Sequence, residues 1–178
     1  MKKKRIVIPL FSLAVLIVLL TIFANRFVLN VLKGKIHFPE EYIGENLKME
    51  DGQQFKVFRR LKVTTGKNNT GDSTVFKVRF KFKNLDIGIN KSLSLIPAPF
   101  LMGMEGFQEK FWTCHAKTGY FQGIYQWKSK KFAEKYPESF IFKLMTKRAA
   151  EGTLSYEIIP HTDLSEYIEQ RLYPIRKK

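Results

Sequence analysis

A chain of 178 residues and 20.9 kDa holds one ordinary domain with appendages, since domains commonly take ~100 to 200 residues. Hydrophobic residues at 44% and charged residues at 26%, with 16 Phe, 7 Tyr and 2 Trp, exclude general disorder, and the single cysteine excludes an intramolecular disulfide or a multi-cysteine metal site. Of the net charge of +15, seven basic residues fall within residues 1–35, which contain no acid; the remaining +8 comes with no zinc-finger, helix-turn-helix, RRM or KH signature, so no nucleic acid is expected as a partner.

Residues 1–5 form a basic tail, and residues 6–24 follow as 19 consecutive residues without a charge, the length a helix needs to cross a bilayer. A cleaved signal peptide is the competing reading. Its apolar region would normally run only ~7 to 15 residues before small residues, and here the site would have bulky Ile22 two residues before Ala24. An uncleaved single-pass anchor contacting membrane lipid is the reading preferred. Lys2, Lys3, Lys4 and Arg5 abut its start, whereas Arg26, Lys33 and Lys35 are spread beyond its end. This bias places the N-terminus in the cytoplasm and the domain outside.

Residues 25–52, with Gly34, Pro39, Gly44 and Gly52, read as a stalk. A leading strand is expected from Phe55 to Val63, before the turn-forming TTGKNNTGD. The next strand has the clearest alternation: from Thr74 to Lys83, Phe76, Val78, Phe80 and Phe82 point one way and Lys77, Arg79, Lys81 and Lys83 the other, a half-buried strand with a solvated basic face.

Asn90 to Met104 is expected to form a short or kinked helix because of Pro97, Pro99 and Gly103. Two strands flank AKTG as a hairpin. From Lys130 to Arg148 the four-residue spacing of Phe132, Tyr136, Phe140 and Leu144 predicts the buried stripe of an amphipathic helix despite Pro137. A strand with Leu154, Tyr156 and Ile158 on one face follows, and Asp163 with Glu166 predicts the start of a last short helix within 161–178.

From Thr74 the order is strand, helix, strand, strand, helix, strand. This predicts an α+β, ferredoxin-like βαββαβ domain over residues 53–160, with an extra N-terminal strand and one transmembrane helix ahead of it. Its helices cover one face of an antiparallel sheet, leaving the other solvated or covered by a partner.

GFQEKFW, TGYFQGIYQW and AEKYPESFIFKLMTKRAAEGTLSYEI together resemble the YdhR-like monooxygenase family, within the dimeric α/β-barrel superfamily that also holds antibiotic-biosynthesis monooxygenases. The resemblance spans roughly Phe55 to Ile158 and is strongest from Gly106 to Glu157. It implies a homodimer formed through the sheet face and a pocket between sheet and helices for a small organic molecule. Some relatives oxidise aromatic substrates with molecular oxygen and no cofactor. No catalytic residue transfers by motif.

If the hairpin turns about Lys117 and Thr118, Trp112 lies opposite Gly123, Lys110 opposite Tyr125 and Cys114 opposite Phe121. Trp112, Cys114, Phe121, Tyr125 and Trp127 then share a face beside the gap at Gly123. Trp112, Phe121, Tyr125 and Trp127 are the candidate substrate-binding residues, suited to a flat apolar or aromatic ligand; ordinary core or dimer packing is the plainer explanation of the same face.

His115 falls on the opposite parity, and His37 and His161 show no metal-ligand spacing, so neither a metal nor a cofactor is expected. Glu134 and Glu138 lie among lysines and read as a solvated helix face. Two functions remain open on the sequence. One is a membrane-anchored domain binding a small hydrophobic or aromatic molecule, monooxygenase-like if an enzyme; the other is a non-catalytic domain that docks another envelope protein through its sheet.

Overall fold

The computed structural model describes residues 28–64, 72–83 and 86–174, together with Val18, Thr21 and Asn25. The expected anchor at 6–24 and the TTGKNNTGD turn therefore lie almost entirely outside the described residues. No helix among those described is long and apolar enough to cross a membrane.

The strands are β1 (Ile36–His37), β2 (Asn46–Lys48), β3 (Gln54–Val63), β4 (Thr74–Lys81), β5 (Phe107–Cys114), β6 (Tyr120–Trp127), β7 (Ser155–Ile159) and β8 (Leu172–Tyr173). The helices are α1 (Ile87–Leu93), α2 (Ala98–Gly103), α3 (Lys130–Lys135), α4 (Phe140–Lys147) and α5 (Leu164–Glu169). In the sheet the order is β7-β4-β6-β5-β3-β2-β8, with β1 also on β3 and every pairing antiparallel. The first four positions carry the strand arrangement of a ferredoxin-like βαββαβ unit. Ahead of β4 the sheet takes three strands, β1, β2 and β3, where a single extra strand was expected.

The alternation of β4 sets the two faces. Phe76, Val78 and Phe80 join Leu61, Val63, Trp112, Phe121, Tyr125 and Trp127 beneath the helices α1 to α4. Helix geometry follows the prolines. Residues 94–97 form a turn that separates α1 from α2, and Pro97 stands at the start of α2, where its missing N–H would have had no helical acceptor.

Pro137 has a larger effect. The helix expected through Arg148 stops after α3 and restarts at Ser139, whose side chain accepts from the Phe142 N–H at 3.2 Å. The restart rotates the apolar stripe, so Tyr136, Ile141 and Phe142 are buried, whereas Phe140 is 59% and Leu144 44% exposed. Four-residue spacing fails across a break because the two helices do not share a phase.

The opposite sheet face, expected to be solvated or covered by a second copy, is covered by the chain itself. Tyr42, Leu47 and Met49 from the stretch read as a stalk pack with Leu164, Tyr167 and Ile168 of α5 against Phe55, Val57, Val75, Phe111 and Ile124. Leu47, Phe55 and Ile168 are fully buried, each stabilising by ~1.5–3 kcal/mol relative to an exposed position. Asp163 caps α5 by accepting from Ser165 N and Glu166 N, and Leu164 N donates to the buried Gln126 side chain, fixing the helix to β6.

Two members of the basic row of β4, Lys77 and Arg79, are paired with acids, in part from this cover. Lys77 pairs with Glu50 at 3.0 Å and Glu157 at 2.8 Å, and Arg79 pairs with Asp51 while lying 4.5 Å from the Phe55 ring centre. Two side chains expected in solvent are thus largely enclosed, because Glu50 and Asp51 come with the segment that covers the face.

Candidate functional site

The β5–β6 hairpin has the register read from its turn: Lys110↔Tyr125, Trp112↔Gly123 and Cys114↔Phe121. Trp112, Cys114, Phe121, Tyr125 and Trp127 accordingly all face the helices. Three of the four candidate binding residues, Trp112, Phe121 and Tyr125, line a cavity of about 100 Å³ between the sheet and the helices. Its floor includes Phe80 and Gly123; α1 and the turn after it contribute Asn90, Leu93 and Ile96, and α4 contributes Ile141 and Leu144. Ile96, 63% exposed, and Leu144 mark its mouth.

The fourth candidate lies elsewhere. Trp127 packs against Phe107 and Tyr136 in the core at ring-centre distances of 5.7 and 5.3 Å, and its buried Nε1 has no acceptor among the described residues. The gap at Gly123 is partly filled by the ring of Tyr125 from the same strand. Tyr125 is fixed in turn by Tyr136 at the end of α3, whose hydroxyl donates to its hydroxyl at 3.1 Å. Burial, together with the neighbouring Tyr136, pushes the Tyr125 phenol well above its ordinary pKa, so the cavity holds it as a neutral hydroxyl.

The residue that changes the chemistry is Lys110. It lies on the same strand parity as Trp112 and Cys114, so the alternation that carries an indole and a thiol inward carries an amine with them. Lys110 is 3% exposed and contributes to the cavity wall, with Nζ 4.1 Å from the Trp112 ring centre and 4.5 Å from that of Tyr125. It has no acidic partner among the described residues. Burial, reinforced by the charge of Arg59, lowers its pKa well below the ordinary lysine value.

Arg59 reaches this face through a β-bulge. Register on β3 shifts between Val57 and Arg59, so Arg59 sits opposite Trp112 and Arg60 opposite Phe111 on the other face. The Arg59 Nη1 donates to the Lys91 carbonyl at 3.0 Å and to Ser94 Oγ, which anchors it to the end of α1. The imperfect alternation of FKVFRRLKV is the sequence trace of that bulge.

The thiol and the turn histidine stand apart from the cavity. Cys114 is buried, and His115 lies in the turn, where its Nδ1 accepts from Thr118 N at 3.2 Å. No group of three or more His, Cys, Asp or Glu among the described residues is placed to hold a metal ion.

The strand order and helix-covered cavity define a ferredoxin-like α+β domain. Solved structures with similar folds include a ferredoxin-fold protein related to antibiotic-biosynthesis monooxygenases from Listeria monocytogenes, 14% identical at a TM-score of 0.47 over 72% of this chain and 93% of that one. A monooxygenase-like protein from Listeria innocua is 16% identical at a TM-score of 0.46, over 72% and 92%. A heme-degrading enzyme from Listeria monocytogenes is 14% identical at 0.48, over 78% and 95%. No protein-family profile and no curated protein matches the chain.

Proposed function

We propose that this domain binds a small apolar or aromatic molecule in the cavity between its sheet and helices. The observation that carries the reading is the cavity itself: Phe80, Phe82, Trp112 and Phe121 form apolar walls, and Lys110 and Tyr125 supply a few polar atoms to orient a guest. A volume of about 100 Å³, below the roughly 150 Å³ of an apolar cavity known to accept benzene, limits the guest to one ring or a short chain. Docking through the sheet has less support, because the face it needs is covered by α5 and residues 42–49.

Turnover with molecular oxygen, and the finer YdhR-like assignment, rest on the resemblance over Gly106 to Glu157. A lysine amine of lowered pKa beside the guest adds to that reading, being a group able to take a proton from an acidic phenol or activated C–H bond.

The test uses the full chain in detergent micelles. Single-ring phenols and hydroquinones are titrated while tryptophan emission and oxygen consumption are followed. Saturable quenching that is lost in Trp112→Phe supports binding, and oxygen uptake above the no-protein rate supports turnover. Titrations without saturable binding would end the proposal.

Residues 6–24 are included in this proposal as the tether, with the domain on the extracytoplasmic side. Their 19 uncharged residues after a basic start support it. Retention in the membrane pellet after alkaline carbonate extraction, with the domain open to protease from the outside, is the expected result. Release into the wash would remove the tether from the proposal.

A further inference from the structure

The two faces of the sheet treat their basic side chains differently. On the face covered by α5, Arg60 pairs with Glu109 and Glu41, Lys77 with Glu50 and Glu157, and Arg79 with Asp51. On the cavity face, Lys110 and Arg59 have no ion pair among the described residues, and neither does Arg148 at the cavity rim, which lies 5.0 Å from the Phe82 ring centre. No Asp or Glu among the described residues lines the cavity. A lysine held in apolar surroundings without a counter-ion is costly, and a methionine would fill the same volume without that cost.

Resting on the reading of this cavity as a binding site, we propose that its ligand is a small organic anion: a carboxylate on an apolar body of about one ring, whose charge the Lys110 ammonium meets with Arg59 close by. The apolar walls take the body and Lys110 takes the head, with the charge of Arg59 adding to the attraction. The acids that pair with the sheet's basic side chains sit on the other face, so the missing negative charge arrives with the guest.

The groups facing Lys110 are few. Arg59 approaches from β3, Tyr125 from β6 with Tyr136 of α3 behind it, and Arg148 lies beyond α4; α1 and the turn following it offer the neutral Asn90 and Ser94. Every charged group in this set is a cation. In the empty cavity they favour the neutral amine, and a bound carboxylate reverses that preference. Binding of the anion therefore takes up a proton wherever the free amine is neutral, and carboxylate affinity falls as pH rises toward the ordinary lysine pKa.

The experiment compares phenylacetate, benzyl alcohol and benzylamine by calorimetry on the full chain in micelles, for wild type and Lys110→Met. The expected result is phenylacetate binding at least about tenfold more tightly than benzyl alcohol, with benzylamine weakest. Lys110→Met should lose the preference for phenylacetate over benzyl alcohol. The wild-type heat for phenylacetate should vary with buffer ionisation enthalpy, reporting proton uptake, while that for benzyl alcohol should not.

Equal affinity for phenylacetate and benzyl alcohol, or a preference retained in Lys110→Met, overturns the anion inference and leaves the cavity reading standing. Binding of none of the three overturns both. If Lys110→Met lacks a native near-ultraviolet spectrum, the wild-type measurements decide: a phenylacetate heat independent of buffer at every pH below the ordinary lysine pKa overturns the inference.

Discussion

The ring of Tyr125 lies directly over Gly123, so closely that a Cβ at position 123 would stand 2.7 Å from its Cε2 and 2.9 Å from its hydroxyl oxygen. The glycine is required by this approach, and its neighbour two residues along the strand occupies the space it leaves. Gly123→Ala should displace the phenol, break its contact with Tyr136 and cost about 1–3 kcal/mol. A urea titration gives the stability change, and altered guest binding in the same variant would show that the ring shapes the cavity.

Tyr125 and Tyr136 satisfy one another inside the core. Tyr125→Phe keeps the ring but leaves the Tyr136 hydroxyl, on a side chain only 1% exposed, without this partner, at a cost of about 1–2 kcal/mol. Replacing both with Phe should cost less than the two single changes added together. Additive values in a double-mutant cycle would show that the hydroxyls are independently solvated.

Glu50 ties three parts of the chain together. It accepts from Arg171 Nη2 at 2.6 Å, Tyr167 Oη at 2.9 Å and Lys77 Nζ at 3.0 Å. Burial alone would raise its pKa, but hydrogen bonding outweighs that and lowers it from 4.5 to about 2. A carboxyl that ionises more readily folded than unfolded stabilises fully above the unfolded value, and loses that contribution as pH falls through the folded one. Glu50→Gln should therefore cost about 1 kcal/mol at neutral pH, a modest figure because the side chain is half exposed. The difference from wild type should close between pH 4.5 and about 2 in paired denaturant titrations.

Arg60 and Glu109 form a buried pair at 2.6 Å, with Arg60 4% and Glu109 6% exposed at the side chain. Glu109→Gln leaves Arg60 with only the exposed Glu41, and should cost about 3 kcal/mol. The double change Arg60→Met with Glu109→Met should recover much of that loss, because desolvation of both charges disappears together. Thermal melts of the single and double variants check this.

The parts legible in the sequence were those governed by local periodicity. Phe76 to Phe82 alternate cleanly because β4 has a buried apolar row, and the symmetric turn about Lys117 and Thr118 sets the hairpin register. What escaped depends on distant partners. Leu47 and Met49 sit among glycines and charges, and only α5 gives them something to pack against. The rotation after Pro137 changes phase without changing residue type. Lys110 stands opposite Tyr125 and on the parity of Trp112, but lysine ordinarily marks a wet face, so residue type masks its burial. The bulge before Arg59 similarly hides a second cation.

Cys114 is 2% exposed and lies in the wall shared by β3, β5 and β6. Being the chain's sole thiol, it is a native clock for breathing motions. A disulfide reagent can reach it only during moments when the hairpin parts from its neighbours, so the reaction rate reads the frequency of those excursions without an engineered label. A guest that seals the interior would slow the clock, giving occupancy a kinetic signature even for compounds that leave tryptophan emission unchanged.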